Sequence, residues 1–359
     1  MNLITFTGES KKVKMKNENL LWIDSLRVLA TLGVISAHVI APILYQNVTV
    51  INFDWWIGNI YDGSGRFCVP IFLMISGALI LSKTYSIGEY LKKRISRILF
   101  PFLFWSIIYI AKDILLKFYH GEYVSIIELL KFVFLQLKSG ASCHLWYIYM
   151  IIGLYLFFPI IGKWINKSNK REIEYFIVIW LITIFAGLPF VEKTIPNINI
   201  TYFSGYIGFP VLGYYLSQKI TFNFERKKIT CIALILTGSL ITILGTFFIT
   251  KYKGKFYDGF YHCLSPNIIL VSVGIFLLFK NSVNLGTRVS SIILFFSKYS
   301  YGIYLSHMLV LWGFSLFDFP YSFLNPIIGI PITSILCFFI STLITWKINK
   351  LPLGKYISG

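Results

Sequence analysis

Long apolar runs separated by short basic segments dominate this chain. A transmembrane helix needs about 20 consecutive, mostly apolar residues. Runs of this kind lie near 21–45, 64–82, 97–116, 145–163, 173–190, 203–218, 229–250, 264–280, 299–317 and 325–346. The pattern predicts an all-α integral membrane protein with about ten transmembrane helices.

One further apolar stretch, 123–137, is shorter and contains Glu128 and Lys131. Charged residues at the centre of a bilayer are costly. We therefore interpret this stretch as an interfacial helix that lies outside the bilayer. If it were a span, the orientation of every later helix would be inverted.

Composition supports a membrane protein over a soluble one. Hydrophobic residues make up 56% of the chain and charged residues only 13%, whereas soluble proteins average about 25% charged residues. A chain this apolar has too little polar surface to cover a soluble core of its size. Such a composition is compatible with a protein whose apolar surface is covered by the lipid bilayer.

The net charge of +18 raises the question of nucleic-acid binding, which would gather the basic residues on one soluble face. Here they lie between the apolar runs. With ten spans, 23 of the 33 Lys and Arg residues fall on one side and 7 on the other. The positive-inside rule makes the side with 23 cytoplasmic. We therefore predict a multi-pass plasma-membrane protein with both termini cytoplasmic and no nucleic-acid partner.

The predicted domain organisation is simple: a cytoplasmic tail over 1–20, a membrane domain over 21–346 and a second cytoplasmic tail over 347–359. The N-terminus lacks the pattern of a cleaved signal peptide. No internal repeat is strong enough to indicate an inverted-repeat transporter. The five cysteines have no CxxC spacing, so neither a metal site nor a disulfide framework is predicted.

Ionisable residues inside spans are candidates for function, because they are costly to bury in lipid. Arg27 and His38 are 11 residues apart on the first span, which places them on one helix face about 16 Å apart along the axis. Snorkelling of Arg27 to the headgroups and a structural hydrogen bond of His38 are the alternatives. Their shared face favours a polar lumen.

The remaining candidates divide into two predicted depths. Arg66 and His144 lie near the outer surface with His38, whereas His307, about two turns into its span, is predicted at the depth of Arg27. Arg94 and Arg97 lie at the cytoplasmic mouth. We interpret Trp146 and Tyr147, next to His144, as interface anchors. Two polar depths suit a reaction whose substrates arrive from opposite sides, and they also suit an anion pathway.

Five segments resemble the acyltransferase family 3 of integral membrane enzymes, most closely its WecH-type surface-polysaccharide O-acetyltransferases. Arg27 to His38 resembles the R-x10-H signature, and His144–Leu145–Trp146 resembles an HLW motif. The other three matches are the segments 66–77 (RFCVPIFLMISG), 93–101 (KRISRILFP) and 301–307 (YGIYLSH). They occur in the family's order and together cover the first nine predicted spans.

The resemblance implies a ten-helix enzyme that transfers an acyl group, usually acetyl, from cytoplasmic acyl-CoA to a hydroxyl of a glycan or lipid-linked sugar. No bound cofactor or metal is expected, and membrane lipid surrounds the chain. Chemical reasoning then favours His38 as base or covalent acyl carrier and Arg66 and His144 as charge-stabilising or orienting groups.

Coenzyme A phosphates would be bound by Arg27, Arg94 and Arg97, since arginine suits phosphate geometry, and His307 could assist them. A sugar or anion transporter, or flippase, of a polysaccharide export system is the alternative function. A non-catalytic partner in such a system is a third, which would leave the ionisable residues without a purpose.

Overall fold

The computed structural model describes residues 20–45, 51–122, 125–188, 191, 205–220, 224–282, 285–319 and 324–359. Residues 1–19 of the predicted N-terminal tail lie outside these residues, as do parts of the predicted spans 173–190 and 203–218.

Most of the described residues are helical, and they form thirteen α-helices: α1 (Leu21–Tyr45), α2 (Phe53–Gly65), α3 (Cys68–Ile80), α4 (Ile87–Tyr119), α5 (Ile126–Ser139), α6 (Trp146–Lys167), α7 (Lys170–Ala186), α8 (Gly208–Tyr214), α9 (Phe224–Lys253), α10 (Pro266–Ser282), α11 (Thr287–Ser315), α12 (Pro326–Asn349) and α13 (Gly354–Ile357). A π-helical turn, Tyr215–Lys219, continues α8.

Seven helical segments of the described residues are long and apolar enough to cross a membrane: Leu21–Tyr45, Phe53–Ile80, Ile87–Tyr119, Trp146–Lys167, Lys228–Lys253, Gly259–Asn281 and Pro326–Asn349. Each overlaps one of the predicted spans, with bounds that differ by at most two residues where the span extends beyond the helix. The structure thus confirms an all-α, multi-pass membrane protein.

The three other predicted spans are helical over their described residues, but they do not meet the same criteria. α7 has only 17 residues, α8 with its π-helical turn is shorter, and α11 carries many polar residues. The count of ten helices and the cytoplasmic placement of the termini therefore stay predictions.

The predicted interfacial segment is the helix α5, and none of its residues is buried. Ser125 and Glu128 form a capping box at its start, which satisfies backbone donors without help from the rest of the protein. A helix with an exposed apolar face and a locally stabilised start suits the membrane interface. Its location there stays a prediction.

The outer surface of the bundle is apolar. Large side chains such as Ile107, Leu115 and Ile160 are more than 60% exposed on their helices. A water-soluble protein rarely exposes so much apolar surface. These side chains are the ones that face lipid in a membrane protein.

Helix α1 occupies the centre of the bundle, where it packs against α2, α3, α10, α11 and α12. Its side chains therefore point into protein on most sides. This position explains why Arg27 and His38, on one face of α1, lie inside the bundle and not toward lipid.

Small residues bring α3 and α8 into backbone contact. A Cβ atom at Gly77 would lie 1.9 Å from the Pro210 carbonyl oxygen, and one at Gly213 would lie 2.2 Å from the Met74 carbonyl oxygen. Small residues are enriched at membrane helix interfaces for this reason. Gly77 and Gly213 therefore have no room for a side chain.

Candidate active site

Three histidines from distant parts of the chain lie side by side in the bundle. His38 is on α1, His144 immediately precedes α6, and His307 is on α11. The ring centroids are 5.2 Å apart for His38 and His307, 4.8 Å for His144 and His307, and 6.2 Å for His38 and His144. His144 and His307 are fully buried, whereas His38 is partly exposed. We call these residues the histidine cluster.

The hydrogen bonds of the cluster leave two ring nitrogens available. His307 Nδ1 lies 2.5 Å from the Tyr304 carbonyl oxygen, and His144 Nδ1 lies 3.1 Å from Ser142 Oγ. Among the described residues, neither Nε2 atom has a hydrogen-bond partner. An unpaired buried polar atom costs about 1–3 kcal/mol, and a catalytic role is one explanation for keeping such an atom.

His38 has a weaker neighbour. Its Nδ1 lies 4.0 Å from the exposed Cys143 Sγ. Sulfur is a poor hydrogen-bond partner, so this contact does not fix which His38 nitrogen carries the proton. His38 is thus the cluster member whose ring is the least constrained by hydrogen bonds.

The predicted depth of His307 was wrong. The span predicted for this residue started at 299, which placed His307 two turns from the cytoplasmic side, at the depth of Arg27. Helix α11 begins at Thr287, so His307 is about 30 Å along the axis from the helix start. Because the first half of α11 is polar, its apolar run is shorter than the helix. In the structure His307 lies beside His38 and His144.

Arg66 lies in the short break between α2 and α3 and forms an ion pair with Asp62, one helical turn earlier. The Asp62 side chain is 1% exposed. Arg66 also covers the Tyr261 ring, 4.8 Å from its centroid. These contacts hold a positive charge in place at the break between α2 and α3.

Asp62 was not among the functional residues predicted from the sequence. The predicted second span started at residue 64, which left Asp62 in a loop. In the structure α2 already extends over Phe53–Gly65. The available signal was the spacing of four residues between Asp62 and Arg66, which places opposite charges on one helix face.

A cavity of about 700 Å³ lies beside Arg66. Five aromatic residues line it, together with Arg66, Asp258 and His262: Tyr45, Trp146, Tyr206, Tyr257 and Tyr261. We call it the aromatic cavity. Cavities with aromatic walls and a few polar groups are typical binding sites for small molecules.

A larger cavity, of about 1290 Å³, lies around Arg27. Six basic residues line it: Arg27, Lys83, Arg94, Arg97, Lys298 and Lys355. We call it the arginine cavity. Arg27 is held by an ion pair with Asp24 at 2.9 Å, and the Ser297 hydroxyl donates to the same carboxylate oxygen at 2.6 Å.

The two cavities are at opposite ends of the same helices. Arg27 and Tyr45, which line different cavities, are separated by 18 residues of α1, or about 27 Å. Arg66 and Lys83 likewise flank the two ends of α3. Polar residues therefore lie at two depths along the helices. His307 belongs to the depth of His38 and His144 and not to that of Arg27.

The histidine cluster lies between these cavities. Tyr304 lines the arginine cavity, and its ring centroid is 5.3 Å from that of His144 and 5.8 Å from that of His307. Its hydroxyl donates to the His144 carbonyl oxygen. Trp146, two residues after His144, lines the aromatic cavity.

Tyr147 departs from its interpretation as an interface anchor. It lines the arginine cavity, and its ring centroid is 5.6 Å from that of Tyr304. Sequence analysis could not distinguish this position, because aromatic residues are common both at membrane interfaces and in cavity walls. Tyr147 and Tyr304 together separate the arginine cavity from the histidine cluster.

Among the described residues, no group of three or more His, Cys, Asp and Glu side chains is arranged to hold a metal ion.

The family model of the acyltransferase domain matches residues 20–346. The chain belongs to acyltransferase family 3. Comparisons with curated proteins and with solved structures gave no match. Family membership confirms the resemblance found in the sequence and identifies the chain as a membrane acyltransferase.

The five family-like segments converge in space. They contribute Arg27 and His38 on α1, Arg66 before α3, Arg94 and Arg97 on α4, His144 before α6 and His307 on α11. Three of these residues form the histidine cluster, three line the arginine cavity and one lines the aromatic cavity. The family-like segments thus supply residues to the histidine cluster and to both cavities.

Proposed function

We propose that this acyltransferase moves an acetyl group from cytoplasmic acetyl-CoA to a hydroxyl of a cell-surface polysaccharide or lipid-linked sugar, as WecH-type enzymes do. The observation that carries the proposal is the histidine cluster between a basic cavity and an aromatic one. The plasma membrane is the proposed location, because donor and acceptor are then on different sides.

The arginine cavity is the proposed donor site. It is lined by three arginines, Arg27, Arg94 and Arg97, and by three lysines. Coenzyme A carries several negatively charged phosphates. Guanidinium groups bind phosphate oxygens in a bidentate geometry. The thioester end of the donor would then extend past Tyr147 and Tyr304 toward the histidine cluster.

The aromatic cavity is the proposed acceptor site. Its aromatic rings offer flat apolar faces for a sugar ring, and Arg66, Asp258 and His262 offer hydrogen bonds. Arg66 is held in place by Asp62. Such a fixed positive charge can stabilise the oxyanion that develops during acyl transfer.

Acyl transfer needs a base that deprotonates the acceptor hydroxyl, a residue that holds the acyl group and a group that stabilises the negative charge of the oxyanion. His38 is proposed as the base or the covalent acyl carrier, and Arg66 and His144 as groups that orient the acceptor or stabilise charge. His307, which does not line the arginine cavity, is not proposed to bind coenzyme A phosphates.

A transport function is the alternative from another class. Two cavities at opposite ends of a bundle would serve a transporter, but membership in an acyltransferase family supports group transfer. The test is to incubate the purified protein with radiolabelled acetyl-CoA and the surface-glycan extract of a strain that lacks the gene. We expect labelled ester and free coenzyme A in equal amounts. Formation of neither labelled ester nor free coenzyme A would overturn the proposal.

The donor assignment makes a separate prediction. Reversing the charges in Arg94→Glu/Arg97→Glu should raise the KM for acetyl-CoA about 10- to 100-fold, because hydrogen bonds to charged groups contribute about 1.5–3 kcal/mol. Steady-state kinetics of ester formation measure this effect. Arg171→Glu, at an exposed position on α7, is the control. An increase confined to the KM for the glycan would contradict the assignment.

A further inference from the structure

His307 has a local geometry that the proposed function does not use. Its Nδ1 lies 2.5 Å from the Tyr304 carbonyl oxygen, three residues earlier on α11. A carbonyl oxygen can only accept, so Nδ1 must carry the proton and donate it. In a neutral imidazole, the lone pair is then on Nε2.

This Nε2 atom is buried and has no hydrogen-bond partner among the described residues. His307 itself is fully buried. A protein normally pairs its buried polar atoms with hydrogen-bond partners. Here the atom without a partner is a nitrogen whose lone pair has a fixed direction. That combination is the arrangement that a general base requires, with one nitrogen anchored and the other free to accept a proton.

The other two histidines fit this role less well. His144 Nδ1 is near the Ser142 hydroxyl at 3.1 Å, and a hydroxyl can donate or accept, so the His144 tautomer is not fixed. His38 Nδ1 has only the Cys143 sulfur at 4.0 Å. Within the cluster, His307 is the member whose proton-accepting nitrogen is set by a backbone carbonyl.

The position of His307 also suits contact with both substrates. Its ring centroid lies 4.8 Å from that of His144, two residues before Trp146, which lines the aromatic cavity. Its ring centroid is 5.8 Å from that of Tyr304, which lines the arginine cavity. His307 is thus located where the acceptor hydroxyl and the thioester would meet.

We infer that His307 is the general base of acyl transfer, with its Nε2 accepting the proton of the acceptor hydroxyl; this inference rests on the proposed function. The O–H bond breaks, and the oxygen bonds to the acyl carbon. The C–S bond of the thioester breaks, and the sulfur takes the proton from Nε2 as a thiol. No further reactant is needed. His38 is left to contact the acyl group.

Two variants separate this role from a structural one. In His307→Asn, the amide can still donate to the Tyr304 carbonyl, but the basic nitrogen is lost. In His307→Gln, a polar atom can reach the Nε2 position without acting as a base. If His307 only supports the fold, the asparagine variant should stay active.

The experiment measures kcat and KM for ester formation by the full-length purified protein, with acetyl-CoA and the surface-glycan extract of the deletion strain. We expect both variants to lower kcat about 10²- to 10⁴-fold, with the KM for acetyl-CoA within about threefold of the wild-type value. His120→Asn, at an exposed position after α4, should have no effect. Thermal unfolding followed by circular dichroism checks that each variant is folded.

Wild-type kcat in a folded His307→Asn or His307→Gln variant would overturn the inference, and so would an increase in the KM for acetyl-CoA at unchanged kcat. Loss of activity that accompanies loss of folding in both variants would also overturn it, because it would show a structural role. If the wild-type protein forms no ester, the proposed function itself fails. That outcome is distinct, because it does not depend on any variant.

Discussion

Replacing His38 with alanine is expected to reduce acyl transfer by a factor of at least about 10², since His38 is proposed to hold the reacting acyl group beside His307. The ring of His38 lies 5.2 Å from that of His307 and 6.2 Å from that of His144, measured between ring centroids. Mass spectrometry of surface glycans from cells that carry only the variant would measure the loss of ester groups.

The protein should remain in the membrane, because His38 is partly exposed and its removal leaves no buried charge without a partner. Immunoblotting of the membrane fraction verifies this. His120→Ala, which changes an exposed histidine after α4, is the matched control. Unchanged ester content in the His38→Ala strain would refute the assignment.

Removing the partner of Arg66 is expected to have the largest effect on stability. In Asp62→Ala, the guanidinium is left in the bundle without its carboxylate. Loss of one partner of a buried ion pair costs about 3–5 kcal/mol, although the 23% exposure of Arg66 will reduce this figure. Thermal unfolding of the purified protein should show a lower midpoint than for the wild type.

A double variant distinguishes support of the fold from catalysis. Asp62→Ala/Arg66→Met removes both charges, so the unfolding midpoint should recover most of the loss. Ester formation should not recover, because the charge proposed to stabilise the oxyanion is absent. Wild-type activity in the double variant would show that Arg66 serves the fold alone.

Sequence patterns predicted the membrane class and one shared helix face. The spacing of Arg27 and His38 placed them on one face of α1, and the structure has that face inside the bundle. This prediction was possible because helix periodicity is a local property of the backbone.

Helix ends were harder to predict, and two consequences for the site followed. Polar residues in the first half of α11 hid its start at Thr287, so His307 was placed at the wrong depth. The break at Arg66 between α2 and α3 hid Asp62 in a predicted loop. Hydropathy detects the lipid-facing length of a helix, and it is insensitive to polar stretches that protein or cavities cover.

By itself, the sequence determined that the chain is a helical membrane protein of acyltransferase family 3 and which residue types carry its chemistry. Only the tertiary structure decided that His38, His144 and His307 share one cluster, and that Tyr147 and Tyr304 separate it from the arginine cavity. Apolar runs and motifs are set along the chain. Which helix faces meet depends on packing between distant segments, and α1 joins those segments because it contacts five helices at once.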